Sequence, residues 1–382
     1  MKKIALFFIL SLTALLITCG GASRCETAGG ESFLIISDAH LTAQAQDHEA
    51  MLEAVIRAAE GKDTVLLLGD NTNNSHEEEH ALVLEWVQEI RQETGAEVRV
   101  IPGNHDYGTQ TGPEEFSIRY KAYGWEQSFS RDAATASYAV MTEKGTCLLM
   151  LDTNQFDEAS FVRADGGIQG DTLKWLQQVL DALPDGTPVL ACGHHPILPA
   201  ERDGRTPGAY ALGQVLRAYG VRLYLCGHDH GFATAEQDGL RQVTVGMPQA
   251  YPGWAGIAEK ENGGFLWHTV QIYDAQSPAL AALRENALTL ADNMARGTLN
   301  TTPYANDEAA IEWFAEVYMT RASGEMTPEK NAALLADENC RKWREIETRT
   351  VVKDWILNLL ENCPEDVRQI AVPVSEKQSL QQ

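Results

Sequence analysis

The feature that most constrains this chain is a recurring run of short apolar segments. Stretches rich in Val, Ile and Leu occur at 33–37, 65–68, 98–101, 138–141, 147–151, 189–191, 223–225, 241–245 and 265–273. Runs this short read as buried strands rather than helices. Amphipathic stretches lie near 47–60, 76–94, 113–123, 170–183 and 208–219. Such alternation predicts an α/β domain, with antiparallel hairpins entering from about residue 137. After Asp274 the strands stop, and 279–298, 305–322 and 327–362 read as helices. Trp313, Phe314, Val317 and Tyr318 would share one apolar helical face, and Thr327 and Pro328 supply an N-cap and an N1 proline. The tail from Val374 is polar. The expected organisation is therefore a leader over 1–19, a tether over 20–31, an α/β domain over 32–274 and a helical region over 279–382.

The carboxyl ends of these runs carry the chemistry. The first leads into Asp38-Ala39-His40, the second into Gly69-Asp70-Asn71 and the third into Gly103-Asn104-His105-Asp106. Two later runs lead into Gly193-His194-His195-Pro196 and Gly227-His228-Asp229-His230. Ligand sites of open α/β sheets lie beyond the carboxyl ends of the strands, so five strands would deliver Asp, His and Asn to one place. Oxygen and imidazole donors without sulfur suit Mn, Fe, Zn or Co. They suffice for two cations sharing a carboxylate. Two cations about 3.5–4 Å apart form a clamp for in-line phosphoryl displacement and can ionise a water held between them.

These five ordered blocks resemble the calcineurin-like metallophosphoesterase superfamily over roughly residues 33–273. The resemblance implies a four-layer α-β-β-α sandwich with a C-terminal helical extension. It also implies one divalent metal ion on Asp38, His40, Asp70 and His230, and a second on Asp70, Asn104, His194 and His228, with Asp70 bridging. His105 would act on the leaving oxygen or on the phosphate, and Asp106 would orient its ring. The expected reaction is in-line attack of a metal-bridging hydroxide on a small-molecule phosphodiester. A phosphomonoesterase or nucleotidase is the alternative within enzymes, and a surface binding lipoprotein with a retained metal site the alternative outside them. Purple acid phosphatases place Gly at the His40 position and Tyr at the Asn73 position, so a tyrosinate iron centre is not expected. The pattern is similar instead to the Asp-x-His branch, which includes cyclic-nucleotide, glycerophosphodiester and sphingomyelin phosphodiesterases. Gly167-Ile168-Gln169-Gly170 ahead of Trp175-Leu176 also resembles that branch.

Charge and the amino terminus bear on partners and location. Thirty Lys+Arg against 54 Asp+Glu leave a net charge of −24. No basic cluster interrupts it, which argues against nucleic-acid binding. Lys2 and Lys3 precede an apolar run over 4–17 that reads as a signal-peptide core. Leu16-Ile17-Thr18-Cys19-Gly20 resembles a bacterial lipobox, although Thr18 stands where the pattern has a small residue. Lipidation of Cys19 and a membrane-surface or secreted location are therefore expected. Of the remaining cysteines, Cys147, Cys192 and Cys226 fall in strand-like runs and read as core, whereas Cys340 and Cys363 could pair.

Some residues fit bland readings better. His195, next to an expected ligand, is read as a packing or supporting residue, and Asp229, between two expected ligands, as pointing away into the loop. His76-Glu77-Glu78-Glu79-His80 spells H-E-x-x-H, yet Ser75 with Glu78 forms a capping box, which places it in a solvated first helical turn. Trp254 lies after a core strand and is divided between core packing and walling the substrate pocket.

Overall fold

Strands form where the sequence alternates two apolar faces. In the computed structural model, which describes residues 30–43, 48–198, 206–261, 264–347, 350–361 and 369–373, β1 (Ser32–Ile36) shows the rule. Its Phe33 and Ile35 enter one core, and Leu34 and Ile36 enter another. Both faces are covered, so the run reads as continuously apolar rather than half polar. β2 (Thr64–Leu68) and β3 (Glu97–Ile101) extend β1 in parallel, joined through α1 (His48–Ala59) and α2 (Glu77–Thr94). These two helices cover the outer face, against Leu34, Val65 and Val98.

A second sheet faces the first. After α3 (Pro113–Arg119) come β4 (Ser130–Arg131), β5 (Tyr138–Met141), β6 (Cys147–Met150), α4 (Gly170–Ala182), β7 (Val189–Cys192), α5 (Ala209–Ala218), β8 (Leu223–Cys226), β9 (Ala233–Gln237) and β10 (Leu240–Thr244). The sheet order is β4-β5-β6-β7-β8-β10-β9, with β6, β7, β8 and β10 parallel. Leu148, Met150, Leu223 and Leu225 point inward to meet Phe33, Ile35 and Leu66. Leu149, Tyr224 and Cys226 point outward under α4 and α5. The chain then returns through β11 (Trp254–Glu261), antiparallel to β1 in the first sheet, and β12 (Gly264–Gln271), antiparallel to β11. Helices outside and two sheets inside make the expected α-β-β-α sandwich.

The helical region follows as α6 (Pro278–Leu299), α7 (Glu308–Ala322), α8 (Pro328–Ala336), α9 (Glu338–Glu345) and α10 (Val351–Glu361), around a core of Phe314, Val317, Trp343 and Leu360. The expected single helix over 327–362 is three, because Asp337 and Ile346 take extended backbone and end α8 and α9. Thr327 caps as expected, its Oγ1 accepting the Lys330 N–H at 3.2 Å. The strands do not stop at Asp274. A further strand, β13 (Gln369–Pro373), adds to β12 at the sheet edge. β11 was also not legible, since Gly256, Lys260 and the Ala residues weaken its alternation.

Two local expectations shift. The cap of α2 sits one residue later: the carboxylate of Glu79, not Glu78, accepts the N–H groups of Asn74 and His76. His80 is consequently buried, with Nδ1 2.9 Å from the Tyr120 hydroxyl and Nε2 3.1 Å from Ser75 Oγ. Burial, with Arg119 nearby, pushes its pKa down to about 4. Cys147, Cys192, Cys226 and Cys340 are buried. Cys19, Cys363 and the tail from Val374 lie outside the described residues.

Candidate active site

Five strand ends, from two sheets rather than one, meet above the inter-sheet core. Backbone hydrogen bonds lace their loops together. The Asp38 N–H donates to Gly69 O at 3.0 Å and the His40 N–H to Asp70 O at 2.9 Å, which ties the turns after β1 and β2. The Gly193 N–H donates to Leu225 O and the Gly227 N–H to His194 O, which ties those after β7 and β8. The two sheets are then joined through Asp38, whose carboxylate oxygens each lie 3.1 Å from the His228 N–H. A Cβ on Gly227 would stand 1.8 Å from Ser37 Oγ and 2.5 Å from Asp38 Oδ2, so only glycine permits this approach.

The backbone at the expected ligands is strained. Asp38, His40, Asp70, His228 and His230 have φ of 56°, 40°, 50°, 73° and 56°. Left-handed backbone costs of order 1 kcal/mol or more for a non-glycine residue and persists where surrounding structure over-determines it. Five such residues at one site mark it as functional rather than incidental.

The donors converge in two groups around Asp70. Donor atoms of Asp38, His40, Asp70 and His230 lie within 4.8 Å of one another, as do those of His194, His195 and His228. Asp70 divides its oxygens between two tasks. Oδ1 accepts the His105 N–H at 2.8 Å, while Oδ2 lies 3.2 Å from His194 Nε2 and 3.7 Å from His40 Nε2. His194 Nδ1 donates to Leu68 O at 2.9 Å, which fixes its tautomer and turns Nε2 toward Asp70. Burial alone would lower the pKa of His194, but Asp70 raises it to about 9. Burial opposes ionisation of Asp70 too, and His194 nonetheless holds its pKa well below the usual range. His40 goes the other way, pushed down to about 4 by burial.

Buried polar atoms left without a partner test whether cations fit. Among the described residues they include Asn104 Oδ1, His195 Nε2 and His40 Nδ1. Orphaned buried acceptors are costly. Asn104 belongs to the residues that the sequence assigns to the second cation and His40 to those it assigns to the first. The donor set therefore suits hard or borderline divalent cations, with Asp70 at the junction of the two groups.

His105 is exposed at the rim. Its Nδ1 lies 2.7 Å from Asn73 O and, facing a carbonyl, donates to it, so Nε2 is the end left for chemistry. Its ring meets that of His40 edge-on at 4.8 Å. The expectation that Asp106 orients this ring needs correction. The buried Asp106 carboxylate accepts the N–H groups of Asn71, Thr72 and Gly103, together with Asn71 Nδ2 and Thr72 Oγ1. Asp106 fixes the loops that carry Asp70 and His105, and the Asn73 carbonyl orients the ring. Burial and the charge of Asp70 push the Asp106 pKa up to about 6.

Trp254 bears out the pocket-wall reading of the sequence, and other contributors were not legible as such. His195 packs against His194 and His228, with ring centroids at 4.9 Å and 4.6 Å, closer to the donors than a packing role required. Trp254 lines a cleft that also includes Asp229 and His230. Tyr318, Arg321 and Trp355 reach the same cleft from the helical region, and no motif marks them.

Comparison with known proteins agrees with this geometry. Residues 32–232 match the family model for calcineurin-like phosphoesterases. The chain is 29% identical over 237 residues to tartrate-resistant acid phosphatase type 5 of Rattus norvegicus, covering 54% of this chain and 71% of that protein. It is 26% identical over 242 residues to a probable cyclic nucleotide phosphodiesterase of Rhodococcus erythropolis, covering 57% and 71%. It is 25% identical over 230 residues to a probable glycerophosphodiester phosphodiesterase of Arcobacter nitrofigilis, covering 56% and 77%. With a family match over more than half its length and strand-end donors gathered in two groups, the chain belongs to the calcineurin-like phosphoesterases and is a metal-dependent phosphoester hydrolase.

Proposed function

We propose that this protein is an exported, lipid-anchored phosphodiesterase that uses two divalent cations. The observation that carries the dinuclear reading is Asp70, whose Oδ2 faces His40 of one donor group and His194 of the other. Asp38, His40, Asp70 and His230 would hold one cation, and Asp70, Asn104, His194 and His228 the second. Bound there, the cations supply Lewis acidity toward the phosphoryl oxygens and lower the pKa of coordinated water.

The chain's own groups do the rest. The His228 N–H pins Asp38 and the His105 N–H pins Asp70, so both carboxylates are aimed before any ligand arrives. The Asn73 carbonyl holds His105 Nδ1–H, and His105, acting as the imidazolium, would give its Nε2 proton to the departing ester oxygen and be left neutral with Nδ1–H still held. Proton donation of this kind contributes typically ~10²–10⁴-fold.

Preference for diesters is supported by two separate clefts that each reach the donor set. One cleft of about 200 Å³ lies against His228, with Asp165, Pro196 and Thr206. Another of about 160 Å³ lies against His230. A diester has two organic groups to place, whereas a monoester has one. Turnover of bis-(p-nitrophenyl) phosphate and p-nitrophenyl phosphate with added Mn²⁺ tests this. Faster turnover of the bis-ester is expected, and turnover of the mono-ester alone would replace the diesterase reading with a phosphatase. Export rests on the basic Lys2-Lys3, the apolar run and Cys19. A diacylated cysteine anchors stably where a single chain does not. Cys19→Ala should move the protein out of the membrane fraction, and a wild-type protein found wholly soluble would refute the anchor.

A further inference from the structure

The cleft beside His230 is built by two parts of the chain that the metal chemistry alone does not require to meet. On one side stand Phe232, two residues beyond His230, and Trp254 at the start of β11, with Tyr251 between their loops. On the other stand Tyr318 of α7 and Trp355 of α10, their rings 5.9 Å apart. α7 is tied down at this edge. Trp254 Nε1 donates to Ala322 O at 3.1 Å, and the Arg321 guanidinium donates to Phe232 O. The helical core uses these rings only in part. Trp313, Phe314 and Val317 of α7 are buried against Trp343, whereas Tyr318 packs half-buried against that core and also lines the cleft, and Trp355 remains 36% exposed.

We propose that this cleft is a subsite for one flat, largely apolar ring carried by the phosphate ester, with α7 and α10 as its specificity wall. The proposal rests on the phosphoesterase reading, since the subsite has a use only if the phosphoryl group sits at the donors. Three observations lead to this occupant. The cleft is continuous with the site, because His230 lines both. Its volume of about 160 Å³ is close to the roughly 150 Å³ that holds a benzene ring. Five aromatic side chains line it, and ring faces and edges reward a flat π-system in offset or edge-on contact more than an alkyl chain.

The test uses the Mn²⁺-loaded protein and two non-hydrolysable ligands, phenylphosphonate and methylphosphonate, with Kd from calorimetry. Each carries a single organic group, so the result does not depend on which ester arm would leave. Wild type should bind phenylphosphonate about tenfold or more tighter, a factor worth about 1.4 kcal/mol. Trp355→Ala and Tyr318→Ala should each pull that ratio toward one, and Tyr318→Phe, which keeps the ring, should preserve it. Quenching of tryptophan fluorescence by phenylphosphonate should weaken in Trp355→Ala, which gives a readout apart from affinity. Thermal unfolding identifies a variant that fails to fold, in which case Tyr318→Phe compared with Tyr318→Leu decides the matter. A wild type that binds both phosphonates equally overturns the subsite and leaves the hydrolase reading standing. A wild type that binds neither and hydrolyses no phosphoester overturns both.

Discussion

Replacing Asp106 with alanine removes one carboxylate that takes five hydrogen bonds. Two of the donors keep another acceptor: Asn71 Nδ2 retains Ile101 O, and Thr72 Oγ1 retains His105 O. The backbone N–H groups of Asn71, Thr72 and Gly103 lose theirs. Each unsatisfied buried donor costs about 1–3 kcal/mol, which gives roughly 3–9 kcal/mol before relaxation. Two effects offset part of this. A charge that burial disfavours is removed, as its pKa of about 6 reflects, and water can enter the space left behind. The net loss should fall at the lower end, about 3 kcal/mol, or a Tm lower by roughly 5 °C for a domain of this size. Calorimetric unfolding of metal-free and Mn²⁺-loaded protein measures it. Metal affinity should fall as well, because Asp70 and Asn104 ride on the loops that Asp106 joins. Asp106→Asn keeps one acceptor oxygen and should lose less. A melting temperature for Asp106→Ala within about 1 °C of wild type, with metal content intact, would refute the account of Asp106 as the tie between these loops.

The other predictions address the donors, the acid and a buried histidine. Asp70→Asn should lose metal and activity together, measured by elemental analysis alongside turnover; two equivalents of metal with near-normal rates would dismiss the shared carboxylate. His105→Ala should keep its metal while kcat falls by ~10²–10⁴ on alkyl esters, and by less on p-nitrophenyl esters, whose leaving group needs little protonation. Equal losses on both would favour phosphate stabilisation over proton donation. His80 has a folded pKa of about 4 against 6.5 unfolded, so the unfolded chain binds its proton first as pH falls. Its contribution, at most about 3 kcal/mol, is complete above pH 6.5 and disappears as pH drops toward 4. His80→Gln should flatten urea-measured stability over that window, and parallel curves for the two proteins would refute the assignment.

What could be read in advance follows from the range of the interactions. A strand covered on both faces must be apolar throughout, so β1, β2, β3, β6, β7 and β8 announce themselves over a few residues. The donors sit next to those runs in the chain because strand ends are where side chains can leave the core. The strand-end residues Asp38, His40, Asp70, Asn104, His105, His194, His228 and His230 were therefore legible one loop at a time. Tertiary structure alone decided how they combine. His40 and His230 are 190 residues apart, yet their Nε2 atoms lie 3.1 Å from each other because two sheets deliver their strand ends to one rim. The left-handed backbone at five of the expected ligands, the capture of Asp106 by Asn71 and Thr72, and the placing of Tyr318 and Trp355 beside the loop that carries His230 all depend on such distant contacts. Local pattern records which residues can be buried or exposed; only packing decides which of them meet.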